Sequence, residues 1–106
     1  MANLSQNGSF RHGAVQNITF AAAGGASAPS SAFAAETYAI RVCLQGAITA
    51  TSGARIVVGD GTPSATSTSE LLPVNWIEYI ICSPGQKIAV LSNDTVTGLL
   101  SVTELS

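Results

Sequence analysis

A chain of 106 residues lies within the size of one domain, so a second independent core is not expected. It carries only 4 basic and 6 acidic residues, 9% of the whole, where a soluble domain ordinarily has about 25%, and a net charge of -2 gives no electrostatic footprint for phosphate backbones, which argues against nucleic acid as a partner. No run approaches the roughly 18 uninterrupted apolar residues of a membrane span, so no membrane partner is expected either, while 46% hydrophobic residues suffice to build a core.

By surface scaling, a folded monomer of 10.7 kDa exposes roughly 5,500 Å², or about one charge per 550 Å². Such a surface is weakly defended against association, and a homo-oligomer, dimer or trimer, is the expectation.

The first eight residues, Met1-Ala2-Asn3-Leu4-Ser5-Gln6-Asn7-Gly8, lack the basic and apolar regions of a secretory signal, so folding in the cytosol of the producing cell is expected. Residues 1–36 are rich in Ala, Gly, Ser and Asn and read as an N-terminal arm ahead of a domain at 37–106. Within the arm, Val15-Gln16-Asn17-Ile18-Thr19-Phe20 alternates apolar and polar side chains, the mark of a short strand. Phe10, Val15, Ile18, Phe20 and Phe33 are the side chains by which such an arm would dock, either on its own domain or on a neighbour. An arm of this kind should be removable without unfolding residues 37–106.

From Thr37 onward the pattern is all-β. Tyr38, Ile40, Val42 and Leu44 alternate with Ala39, Arg41, Cys43 and Gln45, a period of two with one apolar face. Residues 47–51 and 54–58 are rich in β-branched side chains and separated by Ser52-Gly53, predicting two short strands and a tight turn. Gly59-Asp60-Gly61-Thr62-Pro63 then breaks the chain, and residues 64–70 are almost wholly Ser and Thr, a hydroxyl-rich loop. Leu71-Leu72-Pro73 returns to the apolar layer. Residues 76–82, Trp-Ile-Glu-Tyr-Ile-Ile-Cys, have bulky apolar groups on both faces and predict a strand covered on two sides. Ser83-Pro84-Gly85-Gln86 places Pro and Gly where a type II turn needs them, so residues 87–91 should return as the second strand of a hairpin. Asn93 or Asp94 is a candidate for a left-handed turn residue, and residues 98–105 form a last strand. The spacing of strands and turns, about 8 to 12 residues, fits a single small antiparallel β-sandwich or barrel, jelly-roll-like, with an extended arm.

The succession Val57-Val58-Gly59-Asp60-Gly61-Thr62-Pro63, Leu71-Leu72-Pro73, Glu78-Tyr79, Ser83-Pro84-Gly85-Gln86-Lys87-Ile88-Ala89-Val90-Leu91 and Leu100-Ser101-Val102-Thr103-Glu104-Leu105 resembles a group of small tailed-bacteriophage structural proteins over about residues 38 to 105. The resemblance implies a β-rich virion component located at the capsid surface, one that decorates or cements the shell with the major capsid protein as partner. It carries no catalytic residue to this chain, and residues 1–36 do not match its pattern.

The residues offer little chemistry. His12 is the single histidine and sits in the arm, where a nucleophile relay lacks a preformed pocket; a solvated or interface histidine is the plain reading. Asp60, Glu70, Glu78, Asp94 and Glu104 form the acid pool that paired-carboxylate hydrolysis would draw on, but isolated loop acids usually form turns or solubilise. Gly59-Asp60-Gly61 lacks the lysine and helix of a phosphate loop. Cys43 and Cys82, without a CxxC or a neighbouring histidine, read as two buried reduced thiols, and no metal or cofactor is expected. Trp76 and Tyr79, on opposite sides of one strand, read first as core, then as interface anchors, then, with Tyr38 and Pro73, as a sugar-stacking platform. The expected role is therefore not enzymatic: a capsid cement bridging neighbouring subunits. The alternatives are a receptor- or glycan-binding tip using loop 62–70 and the aromatics, or a connector or tail subunit.

Overall fold

Among the described residues the regular structure is built from strands alone. A computed structural model describes residues 11–20, 28–46, 53–93 and 98–106, in which the strands are β1 (His12–Phe20), β2 (Ala28–Pro29), β3 (Ala39–Gly46), β4 (Ala54–Gly59), β5 (Glu70–Leu72), β6 (Ile77–Ile81), β7 (Lys87–Ser92) and β8 (Gly98–Leu105). The pairings are nested and antiparallel: β1 with β8, β2 with β7, β3 with β6, β4 with β5. The chain thus behaves as one long hairpin with its tip between β4 and β5. Rolled up, the hairpin is joined by β3 to β8 and by β4 to β7. The result is two four-stranded sheets, β1-β8-β3-β6 and β2-β7-β4-β5, which is a jelly-roll sandwich.

The period-two pattern dictates which side chains meet between the sheets. Ile40, Val42 and Leu44 of β3 and Leu100 and Val102 of β8 face Ile88 and Val90 of β7 and Ala54 and Ile56 of β4 in one cluster. Each is almost fully removed from water. Burial of a branched side chain contributes about 1.5–3 kcal/mol, and here the central strands of both sheets supply the core.

The described part of the arm belongs to this core. β1 is a sheet strand registered against β8 from Val15↔Thr103 to Phe20↔Gly98, and β2 lies against β7. Ile18, Phe20 and Phe33 are buried in the common cluster, so these three candidate docking residues dock on their own chain and present nothing to a neighbour. The physical reason is geometric: without Phe20 and Phe33 the inter-sheet layer would be open beside β7 and β8. Gln16 Oε1 accepts the Ser31 amide at 2.9 Å and Gln16 Nε2 donates to the Ser31 carbonyl at 3.3 Å, which ties β1 to the chain after β2. The described residues 11–20 and 28–36 are consequently part of the sandwich. Phe10, the residues 47–51 expected as a strand, and Asp94 lie outside the described residues.

The expected hairpin at 83–86 does not form. Its turn does: Gln86 donates its amide to the Ser83 carbonyl at 3.2 Å, with Gly85 at φ 82, as a type II turn requires. The strands it joins lie in different sheets. After the turn, Phe33 exchanges backbone bonds with Gly85 and Gln86 at 3.0 and 2.9 Å, and Ser30 donates its amide to Ile88 at 2.7 Å, so the chain pairs with the segment around β2 and not with β6. Among the described non-glycine residues the left-handed one is Asn75, at φ 61, and not Asn93; its amide meets the Leu44 carbonyl at 2.9 Å just ahead of β6.

Candidate interaction surface

Edges decide what a sandwich can do, because edge strands present unpaired backbone groups. The four edges here are β1, β6, β2 and β5. β1 is irregular between His12 and Val15. β2 is two residues long and contains Pro29, and β5 is three residues long and is followed by Pro73. β6 is different: five consecutive residues pair in unbroken register with β3, and none of the five is Lys or Pro.

β6 forms because Ile77-Glu78-Tyr79-Ile80-Ile81 is β-branched or aromatic at four positions of five. Ile80 turns inward against the core. Ile77, Tyr79 and Ile81 turn outward and are 45%, 55% and 75% exposed. The expectation of a strand covered on both faces is therefore corrected: β6 is covered on one face and stands at the margin of its sheet. Beside its first residue, Trp76 is 55% exposed and donates its indole N–H to Glu78 Oε2 at 3.1 Å. The core reading of Trp76 and Tyr79 fails with it, since both stand in solvent. Among the described residues two further large apolar side chains are exposed, Leu71 on β5 and Val15 on β1.

The sandwich is closed along β1 and β2 by Phe20, Phe33 and the Gln16–Ser31 bonds, whereas between β4, β5 and β6 it is open. A cleft of about 340 Å³ lies there, lined by Ile56, Val57, Val58, Ser69, Glu70, Ile80 and Ile81. It opens because β5 covers only Ala54 to Ile56 of β4, leaving Val57 and Val58 paired with β7 on one side and with no strand described on the other.

The acid pool is scattered. Asp60 and Glu70 are exposed and Glu78 is half-buried. Glu104 is buried, although as a lone acid on an alternating strand nothing in the sequence distinguished it. Its Oε1 accepts the Thr37 hydroxyl at 2.7 Å and the Ala34 amide at 2.8 Å, and together these hold the segment before β3 against β8. Burial, and then the negative charge of Glu104, push the Cys82 thiol up to about 11, so Cys82 stays protonated at neutral pH and is a poor nucleophile. Both cysteines are free; Cys82 is buried, but Cys43 is partly exposed, which corrects the reading of two buried thiols. His12 is exposed at the start of β1. Among the described residues no three His, Cys, Asp or Glu side chains come together as metal ligands would. The hydroxyl-rich loop bonds to itself: Ser69 Oγ accepts the Thr66 amide at 2.9 Å, and Thr66 Oγ1 lies 3.1 Å from Thr68 Oγ1.

No family model, curated protein or solved structure matches the chain. The surface must therefore be interpreted from its own geometry.

Proposed function

We propose that this chain is a structural virion protein that decorates or cements a bacteriophage capsid by bridging neighbouring shell subunits. The observation that carries the reading is the placement of uncovered apolar side chains at both edges of one sheet: Val15 on β1, and Ile77, Tyr79 and Ile81 on β6. With strands about 4.8 Å apart, the two edges of a four-stranded sheet stand roughly 14 Å apart, and a bridge needs contacts on more than one side. A chain with 10 ionised residues incurs little desolvation when those sides are covered. Contacts of standard size, about 800 Å² per partner, gain strength through repetition over a closed shell. The jelly-roll order adds an analogy of fold alone, since that architecture recurs in viral capsids and also in lectins.

The test is to purify particles from cells making the chain and from cells in which its gene is interrupted. Symmetric density for the sandwich at the capsid surface, and earlier rupture on heating when it is missing, are the expected results. Absence of the chain from purified particles, or sugar binding on a glycan array that disappears in Trp76→Ala, overturns the proposal.

A further inference from the structure

We infer that the cleft between β4 and β6 is a groove for an extended segment of another polypeptide. The segment pairs with the open end of β4, places an apolar side chain between Val58 and Ile80, and carries lysine or arginine two residues to either side. The inference does not depend on the capsid reading.

Three observations carry it. The first is backbone direction. Asn93 donates its amide to the Gly53 carbonyl at 3.2 Å, and the register of β4 on β7 continues from Ala54↔Ser92 to Gly59↔Lys87. Hydrogen-bonded pairs alternate with non-bonded ones in an antiparallel ladder, so Arg55, Val57 and Gly59 bond to β7, while Ala54, Ile56 and Val58 direct their amides and carbonyls to the other side. There β5 pairs with β4 from Ala54 to Ile56 and stops. No described strand meets Val58 on that side, where it lines the cleft.

The second is what lies beside that free backbone. Val58 and Ile80 belong to opposite sheets, and each is half-buried against the core. At about 340 Å³ the cleft reaches the lower end of the range of ligand sites, about 300–1,000 Å³. A residue paired with Val58 points its side chain to the same face, between the sheets. Strand addition works in this way, with main-chain hydrogen bonds for affinity and a side-chain pocket for specificity.

The third is charge. Glu70, opposite Ile56 in register, lines the cleft and is exposed. Glu78 stands two residues before Ile80 on β6, hence on the same face, and the exposed Asp60 follows the last residue of β4. Among the described residues the lining contains no lysine or arginine. Arg55 adjoins Ile56 and so stands on the other face of β4, where it donates to Asn93 Oδ1 at 3.0 Å and to the Ser69 carbonyl at 3.1 Å. Charge complementarity therefore selects a cationic segment.

That chemistry also says where the segment comes from. The basic residues of this chain are Arg11, Arg41, Arg55 and Lys87. Three of them are held in the central strands β3, β4 and β7, and Arg11 exchanges backbone bonds with Ser106. Residues 1–10, 21–27, 47–52 and 94–97 contain neither lysine nor arginine. The occupant belongs to a different polypeptide.

The probe is the acetylated, amidated peptide Lys-Thr-Val-Thr-Lys, titrated into the whole chain labelled with nitrogen-15. It should shift the amide signals of Val57, Val58, Glu70 and Ile80, and bind more weakly as salt screens the charges. Glu70→Gln should weaken it about two- to fivefold, the worth of one exposed ion pair. Glu-Thr-Val-Thr-Glu should not bind. Backbone pairing is read on the peptide: N-methylation of its valine amide, the one that faces Val58, should abolish binding, and N-methylation of a threonine amide should not. No shift, equal binding of the glutamate peptide, or binding that survives methylation of the valine amide overturns the inference. So does a Val58 signal that moves on dilution of the chain alone, which would put a second copy in the groove. Each of these failures leaves the capsid proposal to be decided on purified particles.

Discussion

The Thr37 hydroxyl donates to the Glu104 carboxylate at 2.7 Å, joining the chain just ahead of β3 to the end of β8, 67 positions later. Thr37 and Glu104 are both buried, and the same carboxylate oxygen receives the Ala34 amide. One acid therefore ties the described end of the N-terminal segment to the final strand.

Removing that acceptor should be costly. Glu104→Ala leaves a buried hydroxyl and an amide without their partner, a loss of about 2–3 kcal/mol; Glu104→Gln retains a carbonyl oxygen and should lose about half as much. Urea unfolding measures both, and a Glu104→Ala protein within about 0.5 kcal/mol of the parent would contradict the assignment.

Truncation distinguishes an appended arm from an integral one. Deleting residues 1–36 removes β1 and β2 along with Phe20 and Phe33, each worth about 3–5 kcal/mol by the scale of Phe→Ala core changes. Against a total stability of about 5–15 kcal/mol the remainder should not fold, and its amide proton spectrum should collapse to narrow dispersion. A well-dispersed spectrum from residues 37–106 would show that the arm is dispensable.

Gly98 lies opposite Phe20 in the β1–β8 register. A Cβ there would run into the Phe20 ring and would lie 2.9 Å from the Gln45 carbonyl oxygen, so Gly98→Ala should destabilise by about 1–3 kcal/mol through overpacking. Thermal unfolding of Gly98→Ala beside Gly98→Ala/Phe20→Leu should show partial rescue, since the smaller side chain relieves the ring contact.

Alkaline pH should weaken the fold through Cys82. Its thiol is raised from 9.0 to about 11 in the native protein, so between these values the unfolded chain releases a proton that the native state keeps. Stability is then full below pH 9 and falls as pH rises towards 11. The urea midpoint should drop from pH 8 to pH 10, and by less in Cys82→Ala. Glu104→Gln should also reduce the drop, because it removes the second cause of the shift.

Exposed apolar residues should carry contact and not stability. Ile81→Thr, at the most exposed of these positions, should change the unfolding free energy by no more than about 0.5 kcal/mol while raising the solubility limit. A loss of several kcal/mol would place Ile81 in the core instead.

Strand positions followed from local pattern because side-chain alternation is a property of neighbouring residues. The alternation at 38–45 became β3, and that at 15–20 became most of β1. The turn at 83–86 followed for the same reason, since Pro84 and Gly85 set their own backbone angles. Which strand lies beside which did not follow. A turn specifies where the chain reverses but not which sheet the next strand joins, and the nested pairing of β6 with β3 and of β7 with β2 and β4 is decided across tens of residues.

The same division holds for the surface. Scarcity of charge was plain from composition, and it pointed to a molecule that other polypeptides cover. Composition could not say where, because an apolar strand at the centre of a sheet and one at its edge share one pattern; Trp76 and Tyr79 read as core until the sheet order placed β6 at the margin. Phe20 and Phe33 erred the other way, loose aromatics in a weakly patterned segment that the gap between two sheets draws inside. Local alternation and turn chemistry determine that this chain makes strands. Only long-range packing, which fills one volume with residues distant in sequence, decides which of those strands remain open to a partner.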